Sequence, residues 1–340
     1  MKVKRSIGID LGTANTVFFL KGKGIVLREK SVAATELGRG KDKRWNAFGV
    51  EAQRMIGRTP VGIRAVRPLE KGVIADFATT VMMLHHFIGQ MRKSRARFEI
   101  KPHVAIAVPS VATAVERRAV EDVIIEAGAK SAVTVETILA AAIGAGLDVA
   151  EARGSLVVNI GAGTTEVGLI CLGGIVTHRA IRVGGDDMDE LIARFIKKEH
   201  NMKIGEATAE KTKLEVGRAL PSTTLETIAI RGRDLKTGLP KSVEVTSNDI
   251  SQAITPVIQQ IISVIKSVLE QAPAELVGDV MDSGILLTGG VAPLPDLDTV
   301  IAQETGLPVT VAENPMDCVA MGVGQVLDSS SASFVSISYS

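Results

Sequence analysis

Two segments of the chain share one pattern of apolar and polar positions. Residues 6–20, SIGIDLGTANTVFFL, and residues 157–170, VVNIGAGTTEVGLI, each pass from an apolar run through a glycine and threonine turn into a second apolar run. This order predicts a β-hairpin, and backbone N–H groups in such a tight turn can converge on an anion. We therefore expect two phosphate-binding hairpins, one in each half of the chain.

Strand and helix patterns alternate between and after these hairpins. The run VAIAVPS at 104–110 predicts a buried strand that Pro109 ends, and residues 115–127 predict an amphipathic helix. Apolar residues recur at steps of three and four from 257 to 269, which predicts a core helix. The segment GILLTGGVAPLPDL at 284–297 predicts a strand that enters a third glycine-rich turn. This alternation indicates an α/β protein.

Two apolar stretches carry further expectations about packing. In TVETILAAAIGAGL, at 134–147, the small residues from Ala140 onward predict a helix whose backbone packs closely against a neighbour. The nearly apolar run over 155–176 is interrupted by Asn159, by the glycines of its turn and by Glu166. These interruptions predict a hairpin and argue against a membrane span.

Composition narrows the class of protein. A length of 340 residues suggests two lobes. The 39 basic and 38 acidic residues nearly balance, so the chain lacks the excess of positive charge that is typical of nucleic-acid-binding proteins. An aromatic content of 3% argues against binding of single-stranded nucleic acid through stacking of bases on aromatic side chains. Cys171 and Cys318 show no CxxC spacing and predict buried free thiols in a reducing cytoplasm. The start of the sequence lacks the apolar stretch of a signal peptide, which also favours the cytoplasm.

Several catalytic signatures are missing from the sequence. It contains no GxxxxGK[ST], no GxGxxG that opens a helix, no GxSxG and no HExxH, and its five histidines lack metal-ligand spacing. Asp10, by contrast, ends the first strand directly before Leu11-Gly12-Thr13. A carboxylate at the mouth of a phosphate turn is suited to a hydrated magnesium ion, although an ordinary turn residue is the alternative.

The three glycine-rich turns, DLGTANT, NIGAGTTE and LLTGGV, occur together and in order. In this respect the chain resembles the superfamily of actin, sugar kinases and heat-shock-chaperone ATPases. It is most similar to the MreB family of bacterial actins, from about residue 4 to residue 327. The motifs that carry this resemblance are IGIDLGTANT, KGKGIVL, GVIADF, VERRAV, AAAIGAGL, GTTEV, LGGIV, IGEATAEK and LLTGG.

The resemblance implies an α/β, actin-like fold with four subdomains. Each of two lobes would hold an RNase-H-like mixed sheet flanked by helices, with ATP and Mg²⁺ in the cleft between the lobes. Lobe I would comprise 1–144 and 315–340, with subdomain IB at about 33–70. Lobe II would comprise 145–314, with subdomain IIB at about 180–242. Head-to-tail filaments under the cytoplasmic membrane would follow from the same resemblance.

The family's functional residues can be carried over to matching positions of this chain. Two turns would cradle the phosphates, a third would pass under the adenosine, and a helix would contribute side chains at the ribose and base. Asp10 and Asn159 would hold the metal through water. The implied nucleotide-binding residues are Gly12, Thr13, Ala14, Asn15, Gly161, Ala162, Gly163, Thr164, Glu210, Lys213, Gly289 and Gly290.

The chain departs from the family pattern at the second and third turns. The family's second turn resembles DIGGGTTE, so Asn159 replaces an acidic residue and Ala162 a glycine. Asn keeps an acceptor oxygen but loses the charge, and Ala162 requires a negative φ. Val291 follows Gly290 where the family has a further glycine, which predicts a crowded adenosine pocket with altered affinity or base preference.

A further departure concerns the water that attacks the nucleotide. The family carries Glu-Glu-Pro before AAAIGAGL, and the second Glu orients this water; the matching residues here are Glu136, Thr137 and Ile138. Thr137 therefore occupies the catalytic position. Glu136 beside it is a second candidate for positioning the water, but adjacent residues point in different directions, so this role would need a local shift. Losing such a group typically costs about 10²-fold in rate. We expect nucleotide binding with slow or absent hydrolysis; retained activity is the alternative.

Membrane contact is a further expectation. Residues 1–5 are too few for a useful amphipathic helix. The segment RKSRARFEIKP, after a helix at 81–91, offers cations and a phenylalanine to an anionic leaflet, and a solvated loop is the alternative. The candidate membrane residues are Arg92, Lys93, Arg95, Arg97 and Phe98.

The resemblance also implies partners and a location. The partners would be further copies of the chain in a homopolymer, paralogues and membrane-anchored adaptors. The location would be the bacterial cytoplasm, at the inner face of its membrane. A small-molecule kinase of the sugar-kinase type is the alternative function, and GTP is the alternative nucleotide.

Overall fold

A computed structural model describes residues 6–36, 46–93 and 101–328 of the protein. The strands in chain order are β1 (Ser6–Leu11), β2 (Asn15–Leu20), β3 (Gly24–Lys30), β4 (Ala33–Glu36), β5 (Asn46–Phe48), β6 (Ile63–Val66), β7 (Leu69–Glu70), β8 (Val73–Ile74), β9 (His103–Val108), β10 (Ser131–Glu136), β11 (Ser155–Ile160), β12 (Thr165–Cys171), β13 (Gly174–Ile181), β14 (Met202–Lys203), β15 (Thr227–Asp234), β16 (Pro240–Thr246), β17 (Ile285–Thr288) and β18 (Val309–Val311). The helices are α1 (Val50–Gln53), α2 (Phe77–Lys93), α3 (Ala114–Glu126), α4 (Thr137–Gly144), α5 (Gly185–His200), α6 (Glu206–Val216), α7 (Ser247–Gln271), α8 (Ala274–Ser283), α9 (Leu297–Thr305) and α10 (Cys318–Asp328).

Two five-stranded sheets of similar construction form the centre of the fold. One has the strand order β10-β9-β1-β2-β3 and the other β13-β12-β11-β17-β18. In each, the first strand of a hairpin pairs antiparallel with its partner and parallel with a strand from later in the chain. Both sheets are therefore mixed, and helices flank them, which confirms the expected α/β class.

The two expected hairpins are confirmed. In β1–β2, Asp10 pairs with Val17 across the ladder, and in β11–β12, Asn159 pairs with Glu166. The expected strand before Pro109 is β9, and the strand before the third glycine-rich turn is β17.

The apolar stripe between 257 and 269 forms one face of α7. A capping box of Thr246 and Asp249 begins this helix by satisfying backbone N–H groups of its first turn. Length and composition alone would allow α7 to cross a membrane. Its apolar face is instead buried in the core of the second sheet, with Ile254, Ile261 and Ile265 at 0% exposure, so the predicted core helix is confirmed.

Small residues allow α4 and α10 to approach very closely. A Cβ on Gly144 would lie 1.8 Å from the carbonyl oxygen of Cys318, and a Cβ on Gly322 would lie 1.8 Å from that of Ala140. The close packing predicted for the small residues from Ala140 onward is thus confirmed. Because α10 also contacts β1, it lies on the first sheet.

Within the described ranges, two three-stranded sheets are not hydrogen-bonded to the central ones. The sheet β5-β4-β6 falls within the expected subdomain at 33–70. The sheet β14-β15-β16 extends to Thr246, beyond the expected end of the other subdomain at 242. The lobe boundaries at 144, 145, 314 and 315 stay predictions, and so do the two subdomain ranges.

Some expectations need correction or lie outside the described residues. Cys171 and Cys318 are both free, but only Cys318 is buried. The expected loop after 91 begins later, since Arg92 and Lys93 belong to α2. The side chains of these two residues lie outside the described part of the chain. Arg95, Arg97 and Phe98 lie outside it entirely, as do the N-terminal residues 1–5 and the tail over 329–340.

Candidate functional site

A cavity of about 410 Å³ lies between the two hairpins, a volume typical of sites for small ligands. All but one of the residues expected at the nucleotide, the metal or the attacking water line it. These are Asp10, Gly12, Thr13, Ala14, Asn15, Thr137, Asn159, Gly161, Ala162, Gly163, Thr164, Glu210, Lys213, Gly289 and Gly290. The exception is Glu136.

Hydrogen bonds from neighbouring segments fix the first turn. The N–H of Gly12 donates to the Asn15 carbonyl at 3.0 Å, and the hydroxyl of Ser31 donates to the Gly12 carbonyl at 2.6 Å. The Thr13 hydroxyl oxygen accepts from the N–H of Gly72 at 3.1 Å. These hydrogen bonds fix the shape of the turn, which is the preorganisation that a phosphate site needs.

The second turn is tied to the beginning of α5. The N–H of Gly161 donates to the Thr164 carbonyl at 2.8 Å, and the N–H groups of Gly185 and Asp186 donate to the carbonyls of Gly161 and Ala162. Ala162 is absent from the positive-φ residues in the described part of the chain, so its side chain meets the expected condition.

The two turns come into close contact at Gly163. A Cβ added there would lie 2.6 Å from the Thr13 hydroxyl oxygen and 3.0 Å from the Lys71 Cα. Only glycine allows this approach without displacement of a neighbour. The cavity is consequently enclosed by both hairpins.

The third turn packs its backbone against β11. Gly289 has a φ of +92°, and a Cβ there would lie 2.4 Å from the Ile160 carbonyl oxygen, so glycine is required on both grounds. The same carbonyl accepts from the N–H of Val291 at 3.0 Å. The Val291 side chain lines the cavity and lies close to Gly185.

Glu210 and Lys213 on α6 enter the cavity from the second half of the chain. The Lys213 ammonium donates to the Gly185 carbonyl at 2.7 Å and pairs with Asp189 at 2.9 Å. Burial raises the pKa of Asp189 to about 6, and Lys213 opposes that rise. Glu210 faces Lys30 of β3 across the cavity at 3.7 Å.

Asp10 offers a carboxylate in a setting that suits a cation. Burial, and then the negative charge of Asp317, raise its pKa to about 7. A divalent ion nearby would favour the charged form again. In the described part of the chain no group of three or more His, Cys, Asp or Glu side chains could hold a metal alone. A hard ion held by one carboxylate, by water and by phosphate oxygens fits this donor set.

Asn159 and Thr137 lie deep in the cavity wall. Asn159 is 6% exposed, and its Oδ1 accepts a hydrogen bond from the Thr288 hydroxyl at 3.2 Å. Thr137 is 9% exposed at the first position of α4. Glu136 does not line the cavity and instead faces Arg117 at 3.4 Å. The role of Glu136 as the second candidate for positioning the water stays a prediction, and it would need the side chain to leave Arg117.

Sequence reasoning missed several charged residues at or near the cavity. Glu166 and Asp186 line it, and Lys71 of the first half pairs with Asp187 of the second half beside it. The motif GTTEV, already noted for its glycine and threonines, contains Glu166 and could have drawn attention to it. No sequence pattern indicated Lys71, because its partner lies more than a hundred residues away.

Comparisons with known proteins agree on one family. A model of the MreB/Mbl protein family matches residues 4–333. The cell shape-determining protein MreB of Escherichia coli (strain K12) is 47% identical over 323 residues, which cover 95% of this chain and 93% of that protein. The cell shape-determining protein Mbl of Bacillus subtilis (strain 168) is 45% identical over 324 residues, covering 95% and 96%.

A solved structure extends the likeness to three dimensions. The crystal structure of MreB5 of Spiroplasma citri bound to ADP superposes with a TM-score of 0.89 at 33% identity, covering 96% of this chain and 97% of that one. The same protein bound to AMPPNP gives a TM-score of 0.88 at 32% identity.

Proposed function

Since the chain belongs to the MreB/Mbl family of bacterial actins, we propose that it binds ATP with Mg²⁺ in this cavity and polymerises into cytoskeletal filaments. The observation that carries the proposal is the enclosure of one cavity by two glycine-rich hairpins, which meet where Gly163 contacts Thr13. Related structures hold ADP and AMPPNP, which supports a nucleotide as the ligand.

Each turn has a distinct part in binding. Backbone N–H groups of Gly12 to Asn15 and of Gly161 to Thr164 would surround the phosphates, since both turns are already held in shape. Gly289 and Gly290 would lie under the adenosine, beside Val291. Preference for ATP over GTP would be decided at this last surface.

Magnesium would be held chiefly by Asp10. Mg²⁺ prefers oxygen ligands and keeps most of its waters, so the Asp10 carboxylate would hold the ion through water. Asn159 offers only an amide, whose oxygen already accepts from Thr288. When bound, the ion neutralises phosphate charge and favours phosphoryl transfer.

We also expect slow hydrolysis of ATP, because two residues in this wall of the cavity lack a carboxylate. Thr137 and Asn159 stand where the family has carboxylates, and neither can carry a negative charge at the attacking water. A group of this kind contributes about 10²-fold in rate, so each ATP should persist far longer than in a family member with both acids.

Self-assembly is the function that the family supports, and filaments of this chain would form in the bacterial cytoplasm. We further propose that these filaments lie at the inner face of the membrane. Paralogues and membrane-anchored adaptors would be their partners there. Direct membrane contact through Arg92, Lys93, Arg95, Arg97 and Phe98 would be detected as co-flotation with anionic vesicles.

The test is nucleotide binding and pelleting of the wild type, Gly163→Ala and Gly278→Ala. The first substitution inserts a Cβ between the hairpins, and the second inserts one into open space on α8. Gly163→Ala should weaken ATP binding by about tenfold or more and raise the pelleting threshold, and Gly278→Ala should do neither. Equal behaviour of both variants would contradict the proposal. Phosphorylation of a sugar panel would instead favour the kinase alternative.

A further inference from the structure

Glu166 is a buried carboxylate with one oxygen to spare. Its side chain is 2% exposed. Oε2 accepts hydrogen bonds from the backbone N–H of Ser110 at 3.0 Å and from the Ser110 hydroxyl at 3.1 Å. Oε1 has no hydrogen-bond partner among the residues that the structure describes. A buried acceptor without a partner is uncommon and requires an explanation such as water or a ligand.

Glu166 lies close to the positions at which the family carries acids and this chain does not. It pairs with Asn159 across the β11–β12 ladder, so both side chains lie on the same face of the sheet. Glu166, Asn159 and Thr137 all line the one cavity. The second hairpin therefore does present an acid to the cavity, on its second strand instead of its first.

The bonds from Ser110 orient this acid. Ser110 follows β9 of the first sheet, and Glu166 belongs to β12 of the second, so the two hydrogen bonds connect the sheets. They fix Oε2, and within the described chain Oε1 remains as a buried acceptor without a partner, in a residue that lines the cavity. The negative charges of Glu136 and Asp10 lie near enough to act on Glu166.

We propose that Glu166 orients the attacking water, with Oε1 accepting a hydrogen bond from it, in a chain that lacks acids at 137 and 159. This inference rests on the proposed binding of ATP. In the step, the water oxygen forms a bond to the γ-phosphorus while the bond to the β–γ bridging oxygen breaks. Its electron pair stays on ADP, and the two protons of the water leave with dihydrogen phosphate. Glu166 is unchanged at the end.

A purely structural role of Glu166 and a role in orienting the water predict different results for the Glu166→Gln variant. If Glu166 only linked the sheets, its amide analogue would keep an oxygen for Ser110 and hydrolysis would continue unchanged. If Glu166 orients the water, the loss of charge at Oε1 slows the reaction while binding persists. The matched control is Glu270→Gln, because Glu270 is an exposed acid on α7 that does not line the cavity.

The experiment measures single-turnover phosphate release from Mg·ATP by wild type, Glu166→Gln, Thr137→Glu and the double variant. Glu166→Gln should lower the rate about tenfold or more, and Glu270→Gln should not. Affinity for a fluorescent ATP analogue should change by less than about twofold in Glu166→Gln. Thr137→Glu should raise the rate, and Glu166→Gln should then cost less, because a second acid orients the water.

Two outcomes would overturn the inference while leaving nucleotide binding intact. One is equal release by wild type and Glu166→Gln, and the other is wild-type release no faster than the protein-free background. Failure to bind the ATP analogue would instead overturn the proposed function.

Infrared difference spectra supply a readout that needs no turnover. A carboxyl band that Glu166→Gln removes should shift when AMPPNP is added to the wild type. A band that does not respond would contradict a role in the cavity.

Discussion

The two hairpins differ in where each holds its acid. In the first, Asp10 on the leading strand is an acid and its ladder partner Val17 is apolar. In the second, Asn159 on the leading strand is neutral and its ladder partner Glu166 is an acid. The backbones match, with each turn closed by a hydrogen bond from its first glycine. Similar scaffolds thus present a carboxylate from opposite strands of the hairpin.

This contrast separates two tasks that a carboxylate can perform in one cavity. Asp10 is less buried than Glu166, and a cation beside it would favour its charged form. Glu166 is fully buried, and two hydrogen bonds from Ser110 fix one of its oxygens. The first setting suits a hydrated metal ion, and the second suits the orientation of a single water molecule.

The largest expected effect comes from removing the acid of the second hairpin with Glu166→Gln. This change should alter how the free energy of unfolding depends on pH. Burial raises the pKa of Glu166 to about 7. An acid whose folded pKa is raised stabilises the fold below its unfolded pKa, and this contribution is lost as the pH rises through 7. The amide of Glu166→Gln does not titrate. Between pH 5 and pH 8 the variant should therefore gain roughly 2 to 3 kcal/mol of unfolding free energy relative to wild type.

Urea denaturation without nucleotide or magnesium would measure this difference. Glu270→Gln serves as the control, and its difference from wild type should stay constant with pH. A constant difference for Glu166→Gln as well would show that the carboxyl titrates normally.

The next effect concerns the acid of the first hairpin. Asp10→Asn should lower the affinity for Mg·ATP by about 10–100-fold, as expected for a residue that holds a metal through water. Calorimetry in EDTA should show a much smaller change, since the phosphate turns remain. Equal losses with and without magnesium would place Asp10 at the nucleotide instead of the metal.

Restoring an acid to the leading strand of the second hairpin should have a moderate effect. Asn159→Asp keeps an oxygen for the Thr288 hydroxyl and adds a charge beside the cavity. We expect phosphate release to increase by about tenfold, within the range for acid–base groups. An unchanged rate would mean that position 159 does not limit hydrolysis in this chain.

The smallest effect is expected from the residue that orients Glu166. Ser110→Ala removes one hydroxyl donor and leaves the backbone N–H bond to Oε2. A bond to a charged group contributes about 1.5 kcal/mol or more when buried, of which orientation is a part. Phosphate release should fall a few-fold, less than in Glu166→Gln. A larger loss in Ser110→Ala would indicate that Ser110 itself contacts the nucleotide.

The hairpins, the core helix and many residues of the cavity wall could be predicted from the sequence, but Glu166 and Asp186 of that wall were missed. Periodicity and glycine placement act over short stretches, so α7 and the turns at Gly12 and Gly161 follow from local rules. The family resemblance supplied the roles at Lys213 and Gly289, which no local pattern carries.

Long-range pairings could not be predicted in the same way. Glu166 with Ser110, and Lys71 with Asp187, join segments that are distant in sequence. The use of an acid depends on which of its oxygens a partner occupies, and Ser110 determines this for Glu166. For that reason the sequence indicated a missing carboxylate without indicating the one that remains.

The most direct test of the account compares phosphate release by the wild type and by Thr137→Glu, at protein concentrations that span the pelleting threshold with Mg·ATP. We expect both proteins to pellet with nucleotide, and the wild type to release phosphate at least about tenfold more slowly. Wild-type release as fast as that of Thr137→Glu would contradict slow hydrolysis. Absence of pelleting in ATP would contradict the filament itself.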